Sequence, residues 1–129
     1  MSAPVWVEAA VTAFGGQLGL TALALNERGV AGVRFENGIS LRLEAAAGAL
    51  TMTVGVPTQP TAEALKALLS GVHPGAQGTG RIVRAGYSDR AGEAFFAMRI
   101  DERAVSVTAL GEAMAELWGR AERLWRAVQ

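Results

Sequence analysis

Between Thr21 and Val56 the chain reads TALALNERGVAGVRFENGISLRLEAAAGALTMTVGV, and apolar residues recur in it at every second position. The sets are Leu23/Leu25, Val33/Phe35, Ile39/Leu41/Leu43 and Leu50/Met52/Val54/Val56. A spacing of two places side chains on one face of an extended chain, so each set predicts a strand with a single buried face. Three short breaks separate the sets: Asn26-Glu27-Arg28-Gly29, Glu36-Asn37-Gly38 and Ala45 to Gly48. Each ends in a glycine, which can take the positive φ of a tight turn. The stretch is expected to be an antiparallel meander of three or four strands. A sheet with one apolar face needs a cover, and the segments on either side can supply it as helices.

On the N-terminal side, Val7, Val11, Phe14 and Leu18 fall at steps of four, three and four, which predicts an amphipathic helix over 4–18 lying on the sheet. Ser2 is a candidate cap, Pro4 suits the first turn, and Gly15, Gly16 and Gly19 end the helix. Trp6, Ala10, Ala13 and Gln17 form a neighbouring stripe, flat except for the tryptophan. Trp6 reads either as the rim of the core or as a residue that meets a ligand.

Beyond the meander, Pro57-Thr58-Gln59-Pro60-Thr61 cannot be strand interior, and Ala62 to Ser70 reads as a short helix capped by Thr61 and stopped by Gly71. Leu65, Leu68, Leu69 and Val72 leave it apolar around much of its circumference, with only Glu63 and Lys66 charged. Such a helix is either sunk in its own core or shared with another subunit. Residues 71–80, GVHPGAQGTG, read as a loop. The spacing of Gly75, Gly78 and Gly80 is not a phosphate-binding loop, because the lysine and the serine or threonine that such a loop requires do not follow.

Arg81 to Tyr87 and Glu93 to Ile100 predict a hairpin joined at Ser88-Asp89-Arg90-Ala91-Gly92. Its second strand puts Phe96 on one face and Phe95 on the other, which suggests cover on both sides, and contact with another subunit is one way to supply the second cover. From Ser106 or Thr108 to the end, Leu110, Met114, Leu117, Ala121, Leu124 and Val128 predict one long helix, its stripe widened by Trp118 and Trp125. Glu116 with Arg120 and Glu122 with Arg126 are i,i+4 pairs expected on the wet face. Gly111 and Gly119 each cost about 1 kcal/mol against alanine in a helix, which suggests close packing there.

At 129 residues this is one domain, 1–129, long enough to bury a core. Twelve basic residues balance twelve acidic ones, so neither disorder nor a nucleic-acid partner is indicated. No apolar run approaches the roughly 20 residues of a membrane span, and MSAPVWVEAAVTAFGG lacks a signal peptide's basic start, so a cytoplasmic location is expected. The absence of cysteine excludes disulfides and thiolate metal sites. His73, the one histidine, has no second imidazole with which to share a metal. The acids Glu27, Glu36, Asp89, Asp101 and Glu102 fall beside turns, and only the coexistence of Glu44 and Asp101 suggests a paired-carboxylate site. No catalytic residue, cofactor or metal is expected, and the chain reads as a binding protein.

The element order is a helix, a strand meander, a short apolar helix, a strand hairpin and a long helix. That order predicts an α+β fold in which a twisted antiparallel sheet of five to six strands is covered by three helices. With it, FGGQLGLTALALNERGVAGVRFENGISLRLE, LTMTVGVPT, AEALKALLSG, AFFAMRID and ERLWRAV resemble the class I type III secretion chaperones, the Tir-chaperone family. The first of these carries a helix end of the form F-x-x-x-(L/I)-G-(L/I) leading to an Asn-Glu turn, and the similarity spans nearly the whole chain.

The resemblance implies a cytosolic homodimer that binds the N-terminal chaperone-binding region of a secreted effector. It would keep that region non-globular, soluble and competent for secretion, with secretion-apparatus components as further partners. It implies a dimer interface at Leu65, Leu68, Leu69, Ile82 and Val83, and client contacts at Trp6, Ala10, Leu23, Leu25, Val30 and Val33. Family members are typically acidic, whereas this chain is neutral. The competing readings are a small α+β ligand-binding or enzymatic domain, and a structural subunit with no secreted client.

Overall fold

The computed structural model describes residues 3–70 and 81–129. Helix α1 (Val5–Gln17) is followed by strands β1 (Val30–Arg34), β2 (Ser40–Ala46) and β3 (Ala49–Pro57). Then come helix α2 (Ala62–Ser70), strands β4 (Val83–Ser88) and β5 (Glu93–Asp101), a single 3-10 turn at Glu102–Ala104, and helix α3 (Val107–Ala127). The five strands form one antiparallel sheet in the order β1-β2-β3-β5-β4. The α+β architecture and the order of elements agree with the sequence reading.

The alternating pattern sets the register. Leu41 and Leu43 pair with Val54 and Met52, which pair in turn with Phe96 and Met98, so one face of the sheet is apolar across its three central strands. Helices α1 and α3 cover that face, and Phe14, Leu110, Leu117 and Leu124 pack into it with essentially no exposure. Each fully buried side chain of this size contributes about 1.5–3 kcal/mol. The opposite face carries Thr51, Thr53, Arg42, Glu44 and Arg99, which are half-buried or exposed. Three turn glycines take the positive φ expected of them: Gly29 (75°), Gly38 (88°) and Gly48 (76°).

The stretch from Thr21 to Val56 contains three strands rather than four. Thr21 to Asn26 forms no strand, because the end of α1 folds the chain back on itself. Leu20 N–H donates to Gly15 O at 2.7 Å and Gly19 N–H to Gly16 O at 3.1 Å, with Gly19 at φ 75°, a Schellman cap that turns the chain sharply. Helix α1 therefore runs through Gly15 and Gly16 and stops at Gly19. Leu23 then drops against Gly15, where an added Cβ would lie 2.8 Å from the Leu23 Cβ. At the other end of α1 the cap is Pro4, with no side-chain bond, and Ser2 lies outside the described residues.

The helix starts farther along are as the sequence indicates. Thr61 Oγ1 accepts from Ala64 N–H at 3.1 Å and Ser106 Oγ from Ala109 N–H at 3.0 Å. Four local expectations need correction. The Glu116–Arg120 pair, 3.3 Å apart, does not lie on the wet face, since each side chain is only 7% exposed. An added Cβ at Gly111 or Gly119 meets nothing within 4 Å, so neither glycine marks close packing. The Phe95 ring is seated within its own sheet over Gly86, where a Cβ would lie 2.6 Å from the ring. Strand β4 begins at Val83, leaving Ile82 just before it.

Candidate functional site

Helix α1 is exposed yet nearly uncharged, which is unusual for a helix on a soluble domain. Its sequence VWVEAAVTAFGGQ holds one charge, Glu8, and that residue is half-buried. Val7, Val11 and Phe14 enter the core as expected, while Leu18 turns out to be 40% exposed. On the outer side Val5 is 79% and Trp6 54% exposed, and Ala9, Ala13 and Gly16 continue a flat, small, apolar stripe. Trp6 is steadied by its indole Nε1, which donates to Glu102 O at 3.3 Å. Its ring is thus held at the rim of the core with one face toward solvent.

The residues named as client contacts do not all reach that surface. Ala10 (8% exposed) and Leu23 (4%) belong to the monomer's own core. Leu25 and Val33 are half-buried against the core, and Val30 is half-buried on β1. Among the described residues β1 is an edge strand, paired on one side only, by β2. Beside it Gly32 and Val33 face Gly19 to Leu23 across a cleft of about 290 Å³.

A wider groove, absent from the sequence reading, opens between the end of α1 and the first half of α3, with a volume of about 490 Å³. Phe14, Leu18, Phe35, Met114, Ala115 and Trp118 line it together with Gln17 and Gly111. The Phe35 and Trp118 rings meet edge to face at 5.1 Å and 78°, a geometry that fixes one wall. Gly111 lines it without a side chain, and an added Cβ there would meet nothing within 4 Å. The two helical glycines flanking Ala115 and Trp118 were the available signal, since space left on a helix serves an external surface as well as internal packing. On the outer face of the sheet a trough of about 620 Å³ holds Glu93, whose carboxylate reaches over Gly55 to accept from Ser40 Oγ at 3.2 Å.

A second apolar surface lies on the far side of the molecule, where α2 packs beside β4 and β5. Leu69 is 68%, Ile82 80% and Leu65 39% exposed, and Val83 is half-buried against the core. Leu68, at 4%, holds α2 down and is not on the surface. Val72, His73 and Gly71, Gly75, Gly78 and Gly80 lie outside the described residues.

Among the described residues no three His, Cys, Asp or Glu side chains converge as a metal site would require. Nor is any described helix long and apolar enough to cross a membrane. The chemistry on offer is apolar contact, aromatic edges and unpaired sheet edge.

A search of curated proteins finds no match. Among solved structures, a chain of the ExsC–ExsE complex aligns with a TM-score of 0.76 at 19% identity, covering 99% of this chain and 97% of that one. A chain of the HopA1–SchA chaperone–effector complex aligns at 0.72 and 17% identity, covering 95% and 94%. A chain of the ExoU–SpcU complex from the type III secretion system of Pseudomonas aeruginosa aligns at 0.67 and 18% identity, covering 92% and 98%. At these identities the likeness is one of fold. The family model described as Tir chaperone protein (CesT) family matches residues 9–125, from the middle of α1 to the end of α3. The chain belongs to the Tir chaperone protein (CesT) family.

Proposed function

We propose that the protein acts as one domain, in the bacterial cytosol, as a homodimeric chaperone of a type III secretion system. It binds the N-terminal chaperone-binding region of a secreted effector and keeps that region non-globular, soluble and ready for export. The observation that carries this reading is the family match over residues 9–125. The partners named in the aligned structures point the same way: one is a chaperone–effector complex and another comes from a type III secretion system.

Surface chemistry divides the work. The α2–β4 surface, with Leu65, Leu69, Ile82 and Val83, meets a second copy, and Leu68 supports it from beneath. Helix α1 and the β1 edge, with Trp6, Leu25, Val30 and Val33, receive the client, while Ala10 and Leu23 hold that surface in shape. The client chain gains cover for apolar side chains that would otherwise face water, and the chaperone gains cover for a helix that carries a single charge. No catalytic group, cofactor or metal is needed for this.

Copurification from native cells followed by peptide sequencing tests the reading. The expected result is one or a few proteins retained through an N-terminal segment that proteases cleave readily when the chaperone is absent. Retention of folded proteins only, or a wild-type chain that light scattering finds monomeric, would count against it.

A further inference from the structure

The geometry points to Asn37 as a self-modifying residue, converting to aspartate and isoaspartate through a cyclic imide at a rate set by the Trp125 indole. The chain holds two asparagines, Asn26 and Asn37, and they differ where this chemistry is decided. Asn37 precedes Gly38, so no side chain crowds the backbone nitrogen that must attack, whereas Asn26 precedes Glu27. Asn26 Oδ1 is fixed by two backbone donors, Arg28 N–H at 2.8 Å and Val30 N–H at 3.0 Å. Asn37 is exposed, and its Oδ1 accepts from Ile39 N–H at 3.0 Å.

In the reaction solvent base takes the Gly38 amide proton, the nitrogen bonds to Asn37 Cγ, solvent returns a proton to Nδ2, and the Cγ–Nδ2 bond breaks as ammonia leaves. Water then adds to either carbonyl of the imide and opens the ring to aspartate or isoaspartate, with no change of oxidation state. Two contacts oppose the first step. Gly38 N–H donates to Phe35 O at 2.9 Å, and Trp125 Nε1, from the last turns of α3, donates to Asn37 O at 3.3 Å. The attack therefore proceeds from the opened hairpin tip, and the free energy of that local opening sets the rate. Isoaspartate adds a methylene to the main chain and a negative charge two residues from Phe35. The product unfastens α3 from the β1–β2 tip and alters the aromatic wall of the groove.

Full-length protein held in mildly alkaline buffer and sampled by peptide mapping tests this. Asn37 is expected to exchange its amide for an acid, mainly as isoaspartate, while Asn26 does not. Trp125→Phe, which keeps a ring and removes the donor, is expected to convert severalfold faster, with a thermal melt confirming that it remains folded. Asn37→Gln, whose longer side chain closes the ring poorly, is expected to stay unmodified. An Asn37 that remains intact in the native protein overturns the proposal, and equal rates in wild type and Trp125→Phe overturn the role of the indole.

Discussion

Glycine and alanine do opposite things at different points of this chain, and the backbone decides which. Gly15 closes the Schellman cap of α1, and a Cβ there would meet Leu23 Cβ at 2.8 Å and Leu20 O at 2.9 Å. Gly15→Ala is therefore expected to lower stability by about 1–3 kcal/mol in urea unfolding, despite alanine's better helix propensity. Ala47 is the converse case. It sits at φ 52° in the two-residue loop between β2 and β3, followed by Gly48 at 76°, the signature of a type I′ turn that favours Asn-Gly. Ala47→Asn is expected to raise stability by about 1 kcal/mol, because an alanine in the left-handed region costs about that much. A midpoint that does not move would mean the strain is relieved elsewhere in the loop. The Glu116–Arg120 pair is a third case, with both side chains nearly excluded from water. Removing one partner of such a pair strands the other charge, so Glu116→Ala is expected to cost about 3 kcal/mol. The exposed Glu122–Arg126 pair at 3.7 Å contributes a few tenths at most.

At the scale of the helices, α3 has two faces with different duties. Leu110, Leu117 and Leu124 hold it to the sheet, and their steps of seven made the helix and its buried side readable before any coordinates. The other side, with Gly111, Ala115 and Trp118, borders the groove. Gly111→Ala is expected to gain about 1 kcal/mol, since a Cβ there meets nothing. Gly111→Leu should also leave the fold intact but fill the groove and weaken effector binding measured by calorimetry. Unchanged binding would show that the client does not use this groove. Periodicity reported every strand set except Leu23/Leu25, where the cap at the end of α1 turns the chain back before it can extend, a tertiary effect that alternation does not carry. It also could not tell that Ala10, Leu23 and Leu68 lie inside, since one apolar residue looks like another until the partner surface is known. Equally, an i,i+4 charge pair carries no mark in sequence of whether neighbouring helices cover it.

For the whole molecule, the exposed Val5 and Trp6 on α1 and the exposed Leu65, Leu69 and Ile82 near α2 and β4 support the proposed division between a client surface and a self-contact. Leu69→Asp or Ile82→Asp is expected to give a monomer by light scattering, because a charge at a position that is 68% or 80% exposed costs the monomer little while opposing burial against a second copy. A dimer that persists in both variants would move the self-contact elsewhere. The order β1-β2-β3-β5-β4 carries a further consequence, for the path by which the chain reaches this form. Every strand pairing in it is between sequence neighbours except β3 with β5, where Val56 meets Ala94 and Leu50 meets Ile100. The meander and the β4–β5 hairpin can each assemble locally and quickly, but the seam between them must first close a loop that contains α2, so it is expected to limit the folding rate. Until that seam zips, the newly made chaperone is itself a polypeptide with an open apolar sheet edge, in the same condition as the segment it is made to protect.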